Sequence, residues 1–79
     1  MQIMVKWFAA YRDATGTAEE SIETEARTVE ELFKEMMQLH EQLAIYSSAM
    51  VAINDEMATP GSTIKAGDKV LFFPPVAGG

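Results

Sequence analysis

The residues with the most unusual chemical potential close the chain: Phe72-Phe73-Pro74-Pro75-Val76-Ala77-Gly78-Gly79. An apolar strand runs into two prolines and then into a diglycine. Proline fixes φ and lacks an amide donor, so Pro74-Pro75 ends sheet pairing and favours an extended exit. Stretched out, Pro74 to Gly79 reaches roughly 20 Å from the sheet. Nothing obvious in the sequence packs against Val76 to Gly79. Gly78 and Gly79 have no Cβ, so they fit a channel too narrow for other residues and accept backbone angles closed to them. The group delivered at the tip is the α-carboxylate of Gly79. Domain termini are ordinarily without function, but an apolar strand, a double proline and a diglycine in succession single this one out.

The rest of the chain offers little competing chemistry. It has no Cys, hence no disulfide framework, thiol nucleophile or thiolate metal site. His40 is the sole histidine. Without a second His, a Cys or a Ser-His-Asp arrangement it reads as a partly exposed helix residue, and no metal site is expected. A net charge of −6 argues against nucleic acid, which needs a basic face, and favours basic protein partners. No run is apolar enough to span a membrane and no signal peptide is expected, so the cytoplasm is the default. At 79 residues, 48% of them apolar, the chain supports one domain with a modest core.

The elements that must position the tail follow from periodicity. Gln2 to Phe8 reads as a strand with Ile3, Val5 and Trp7 inward and Met4, Lys6 and Phe8 outward. Ala9 to Ala14 forms a short helical turn closed by Gly16. Ala18 to Glu25 reads as an edge strand around Ile22, its Glu19, Glu20, Glu23 and Glu25 solvated. Thr28-Val29-Glu30-Glu31 has capping-box spacing, with Glu31 reaching back. Val29, Leu32, Phe33, Met36 and then His40 or Leu43 lie on one helix stripe, and Glu30 pairs with Lys34 on the wet side. Met36, Met37 and Met50 read as core fillers. Leu43 to Ala49 continues the helix or forms a second one. Met50 to Ile53 is a strand, Asn54-Asp55 a tight turn, and Glu56 to Thr59 a short returning strand. Pro60-Gly61 and Gly67-Asp68 are turns around the connection Ser62 to Ala66. Lys69 to Phe73 is the last strand.

This order predicts an α+β, ubiquitin-like β-grasp domain over residues 1–73, with residues 74–79 as an extended tail. A mixed sheet of four to five strands wraps one main helix, and the last strand lies parallel to the first at the centre. One helix covers one face of a sheet. Met4, Leu71 and Phe73 then share the other face as an apolar patch beside the tail, the kind of patch that marks a partner surface.

Several stretches carry a family resemblance. Phe8-Ala9-Ala10-Tyr11-Arg12-Asp13, Gly16-Thr17, Thr28-Val29-Glu30-Glu31-Leu32, Val51-Ala52-Ile53-Asn54 and Ile64-Lys65-Ala66-Gly67-Asp68-Lys69-Val70 resemble the small subunit of molybdopterin synthase. The ending from Phe72 to Gly79 looks like that family's own terminus and is the specific part of the match. Asp13 departs from the glutamate that often follows the arginine, and 38–49 matches nothing diagnostic.

The resemblance implies a sulfur carrier. A ubiquitin-activating-like adenylyltransferase would use ATP to adenylate the Gly79 carboxylate, and sulfur from a persulfide donor would replace AMP. The resulting thiocarboxylate would enter the large subunit and donate sulfur to cyclic pyranopterin monophosphate. On this view Gly79 carries the reacting group, and Gly78, Ala77 and Val76 thread the channel. Phe73, Pro74, Pro75, Leu71 and Met4 meet the partner. The chain would be the sulfur-donating subunit of a sulfurtransferase, inactive alone, without a tightly bound cofactor, in a heterotetramer with two central large subunits. Rival expectations are a sulfur carrier of thiamine thiazole synthesis or tRNA thiolation, whose members usually lack the Phe-Phe-Pro-Pro run. Others are a ubiquitin-like modifier joined to lysines and a plain β-grasp interaction module.

Overall fold

The alternation of apolar and polar residues in the first strand needs one covered and one open sheet face, and the chain supplies both. The computed structural model describes residues 1–45 and 50–74. In chain order it contains β1 (Gln2–Trp7), α1 (Ala10–Thr15), β2 (Glu19–Glu23), α2 (Val29–Leu39), a 3-10 helix (Glu41–Ile45), β3 (Met50–Ile53), β4 (Glu56–Ala58) and β5 (Lys69–Phe73). The sheet order is β2-β1-β5-β3-β4. β1 and β5 are parallel, and the other pairings are antiparallel. This is the predicted mixed β-grasp sheet. The expected helical continuation through 46–49 lies outside the described residues.

Inward residues of four strands meet one stripe of α2. Ile3, Val5, Trp7, Ile22, Val51, Val70 and Phe72 are buried against Val29, Leu32 and Met36, with Tyr11, Leu43 and Ile64 closing the core. Burial of this apolar surface, worth about 25 cal/mol per Å², is the main term holding so small a domain together. The aromatic residues interlock. Trp7 stacks on Phe72 with centroids 5.3 Å apart, and Phe33 packs on the same Phe72 ring at 5.1 Å.

Local signals account for the boundaries. Thr28 caps α2, its hydroxyl oxygen accepting from the Glu31 N–H at 3.3 Å. The Glu31 carboxylate reaches one residue further back than expected, accepting from the Arg27 N–H at 2.7 Å. The chain enters the helix extended and bridged to Thr63, which leaves the Arg27 amide as the donor within reach. The same bridge makes 60–64 more than a connection. Carbonyls of Pro60 and Ser62 accept the Glu30 and Val29 amides, satisfying helix donors that otherwise lack partners. Asn54 and Asp55 take φ of 50° and 71°, the geometry of a two-residue hairpin turn.

Two expectations are corrected. Met50 is not core filler: alternation turns Val51 inward, so Met50 opens on the outer face at 40% exposure. Glu20 is not a plain solvated edge residue, because its carboxylate accepts from Trp7 Nε1 at 2.9 Å and contacts His40 Nε2 at 2.7 Å. His40 is partly exposed, as expected, but its ring does not stand alone, because it meets Glu20. His40 ends α2, and only 17% of its side chain is exposed.

The chain start is clamped by charge. The Met1 ammonium donates to Glu23 at 2.8 Å and to the Thr24 carbonyl at 2.8 Å. Hydrogen bonding and attraction from that ammonium hold the Glu23 carboxyl below its ordinary value of 4.5. A depressed folded-state value stabilises the fold above pH 4.5, and the contribution fades as pH falls below it. Glu23→Gln is therefore expected to be less stable than the wild type near neutrality, with the gap closing in acid. Urea unfolding across pH 3 to 7 checks this, and a gap that does not change with pH refutes it.

Candidate functional site

The tail leaves from the middle of the sheet. β5 lies between β1 and β3, and its last ladder partner is Met50, opposite Phe73. On the β1 side, the Phe8 N–H donates to the Phe72 carbonyl at 3.1 Å. Pro74 follows with no amide to continue pairing. The end of β5 is thus held on both sides, Phe72 by β1 and Phe73 by its pairing with β3, while Trp7 and Phe33 grip the Phe72 ring. The expected tail residues Pro75, Val76, Ala77, Gly78 and Gly79 lie outside the described residues.

Register defines the outer face around this exit. One row runs Glu19, Lys6, Leu71, Ala52, Met57, and the next pairs Phe73 with Met50. Leu71, Phe73 and Pro74 are half-buried. Of the expected patch, Leu71 and Phe73 adjoin the exit. Met4 shares the face but falls in the row of Ser21 and Lys69, further from it. The expected patch left out its two most exposed apolar members, Met57 within this row at 62% and Phe8 beside it at 54%. The available signal was alternation: Met57 faces Ala52 across β3–β4, and Phe8 lies two residues beyond Lys6. The result is an apolar band across three strands, an arrangement typical of a binding surface.

At its β1 end the band opens into a cleft of about 340 Å³ between Phe8, Ala9, Arg12, Ala18, Lys6 and Glu19. Lys6 pairs with Glu19 at 3.7 Å. Ala9 has φ 52° and ψ −127°, a conformation nearly reserved for glycine and costly for a residue with Cβ. It lets the chain reverse after Phe8, where the Tyr11 N–H donates back to the Phe8 carbonyl at 3.1 Å. Among the described residues no group of three His, Asp or Glu side chains is placed to hold a metal, and no helix is long and apolar enough to cross a membrane.

Comparison with known proteins gives a consistent picture. The ThiS family matches residues 5–79. A molybdopterin synthase sulfur carrier subunit of Chlamydomonas reinhardtii is 31% identical over 83 residues, covering all of both chains. One of Haemophilus influenzae is 32% identical over 95% of this chain and 96% of its own. Among solved structures, SAMP1 from Haloferax volcanii superposes with a TM-score of 0.84 at 26% identity over the whole of both chains. A Pyrococcus furiosus protein described as a putative molybdopterin converting factor subunit 1 gives 0.82 at 30% identity, over 96% and 99% of the two chains. A Helicobacter pylori complex of subunits 1 and 2 of molybdopterin-converting factor gives 0.66 at 26% identity, over the whole of both chains.

Relief of the strain at Ala9 is measurable. Ala9→Gly is expected to stabilise the domain by about 1 kcal/mol, raising the thermal midpoint by roughly 4–8 °C for a domain of this size. A lowered midpoint in calorimetry would show that the turn is unstrained.

Proposed function

The chain belongs to the ThiS family, and from that premise we propose that it is a sulfur carrier in molybdenum cofactor biosynthesis, the small subunit of a molybdopterin synthase. The observation that carries this reading is full-length similarity to proteins bearing that name, combined with a central strand that runs out into the Pro-Pro-Val-Ala-Gly-Gly ending. The same relatives favour this pathway over thiazole synthesis or tRNA thiolation.

Gly79 is the residue that reacts. Its carboxylate is a poor electrophile until an ATP-dependent activating enzyme converts it to an acyl-adenylate. The outer sulfur of a persulfide donor then attacks the acyl carbon and expels AMP, and a thiol cleaves the resulting acyl disulfide, itself becoming part of a disulfide and leaving a thiocarboxylate at Gly79. Val76, Ala77 and Gly78 follow Gly79 into the channel, which at Gly78 has no room for a side chain, and the fixed φ of proline at 74 and 75 favours an extended tail. Phe73 and Leu71 seat the band against the large subunit, with Met4 at its margin. In support, the neighbour from Helicobacter pylori is a complex of two subunits. The large subunit brings the catalytic side chains and the basic groups for the pterin phosphate, which this acidic chain does not supply in number. The isolated chain has no activity, holds no cofactor of its own, and works in the cytoplasm as part of a heterotetramer. Gly79 acts as a covalently charged cosubstrate rather than as an acid or base.

A second reading rests on the superposition with SAMP1, a small archaeal modifier protein: conjugation of the same activated carboxylate to lysines. Intact mass spectrometry after incubation with ATP, a sulfur source and the activating enzyme separates the two. Exchange of one oxygen for sulfur at Gly79 is expected, and deletion of Gly79 or addition of a residue after it abolishes transfer without changing thermal stability. Lysine conjugates with no thiocarboxylate intermediate would favour the modifier. Phe73→Ala should weaken large-subunit binding by about 1–4 kcal/mol, and unchanged affinity in calorimetry would remove Phe73 from the interface.

A further inference from the structure

The cleft at the β1 end of the apolar band has a charge pattern that the reading above leaves unused. Lys6 is neutralised by Glu19 at 3.7 Å. Arg12 is exposed, and no carboxylate pairs with it among the described residues. It is therefore an uncompensated cation on a chain of net charge −6, standing in a cleft with exposed Phe8 on its wall. Its backbone is held in place. The Arg12 carbonyl accepts from the Gly16 N–H at 2.9 Å, in the helix-terminating turn where Gly16 has φ 78°. The neighbouring Tyr11 is fully buried against Trp7.

We propose that this cleft receives an acidic side chain of the large subunit, with Arg12 as its guanidinium partner and Phe8 as the apolar wall beside it. The inference rests on the sulfur-carrier reading and adds the means by which the complex is oriented. An acidic chain is drawn to a basic partner surface in many orientations, because attraction between opposite net charges carries no register. An unpaired cation in the cleft beside the apolar band changes that. Against a basic surface it is repelled, and only a placement that brings a carboxylate to Arg12 relieves the repulsion. The planar guanidinium binds a carboxylate through two parallel hydrogen bonds, which fixes direction as well as distance. The cleft is continuous with the band, since Lys6 shares a row with Leu71 and Phe8 extends the same face. Seating the carboxylate therefore also seats Leu71 and Phe73 and aims the tail.

The test is titration calorimetry of the full chain against its cognate large subunit. Arg12→Gln should weaken binding about tenfold and Arg12→Glu about a hundredfold, with Arg12→Lys between Arg12→Gln and the wild type. Lys34→Gln, which removes an exposed cation on α2, should bind like the wild type. Ala18→Glu places a carboxylate of the chain's own at the cleft and should mimic Arg12→Gln, so the inference survives a folding defect in any one variant. Wild-type affinity in the Arg12 and Ala18 variants, alongside weakened Phe73→Ala, overturns this inference alone. It is likewise overturned if the Arg12 variants lose only adenylation by the activating enzyme. A wild-type chain that fails to bind the large subunit overturns both this inference and the reading beneath it.

Discussion

The structure depends on the parallel pairing of β1 with β5 and on the stack of Trp7 over Phe72 that seals it. Parallel strands cannot be joined by a tight turn, so the chain must make a long crossover before β5 is placed. That crossover is where α2 lies, and its stripe covers the inner face of the pair. The strand that carries the tail is consequently the central one and the last to be laid down. Its aromatic anchor is shared among Trp7, Phe33 and the core. The tail thus leaves from a strand paired on both sides.

A single covering helix has a second consequence. The outer face has no helix to bury it, and its register gathers Leu71, Ala52 and Met57 in one row with Phe73 and Met50 in the next. Such a band is a liability for a free chain and a source of binding energy for a partnered one. The sheet edges are guarded differently. β2 carries Glu19 and Glu23 outward, while β4 is only three residues long, both ordinary means of discouraging strand-to-strand association. The edges are thus guarded while the outer face is left open.

Polar groups inside the fold act as ties between elements distant in sequence. Thr24, buried where β2 ends, donates to the Glu35 carboxylate on α2 and accepts from the Ala26 N–H at 3.0 Å. Glu20 joins Trp7 of β1 to His40 at the end of α2. Both lock β2 to the helix, and no buried side-chain polar atom among the described residues lacks a partner. Groups buried without partners would be costly, and these ties spare the fold that cost.

Much of this was legible in the sequence. The alternation of Ile3, Val5 and Trp7, the spacing of Val29, Leu32 and Met36, the Thr28 cap and the Asn54-Asp55 turn are local signals, and local physics suffices to read them. The Pro-Pro-Val-Ala-Gly-Gly ending is likewise a matter of residue type. What tertiary structure alone decided is pairing across distance. Glu20 looked like a solvated acid until the sheet and helix brought Trp7 and His40 to it. Met50 looked like core until Val51 claimed the inward position. Met57 acquired meaning only when register set it in the outer row, and Phe8 and Arg12 only when the fold brought them to one cleft. Periodicity tells a residue which face of its own element it occupies. Only the packed fold tells it what lies opposite, because that depends on strand order and register, which no local stretch of chain encodes.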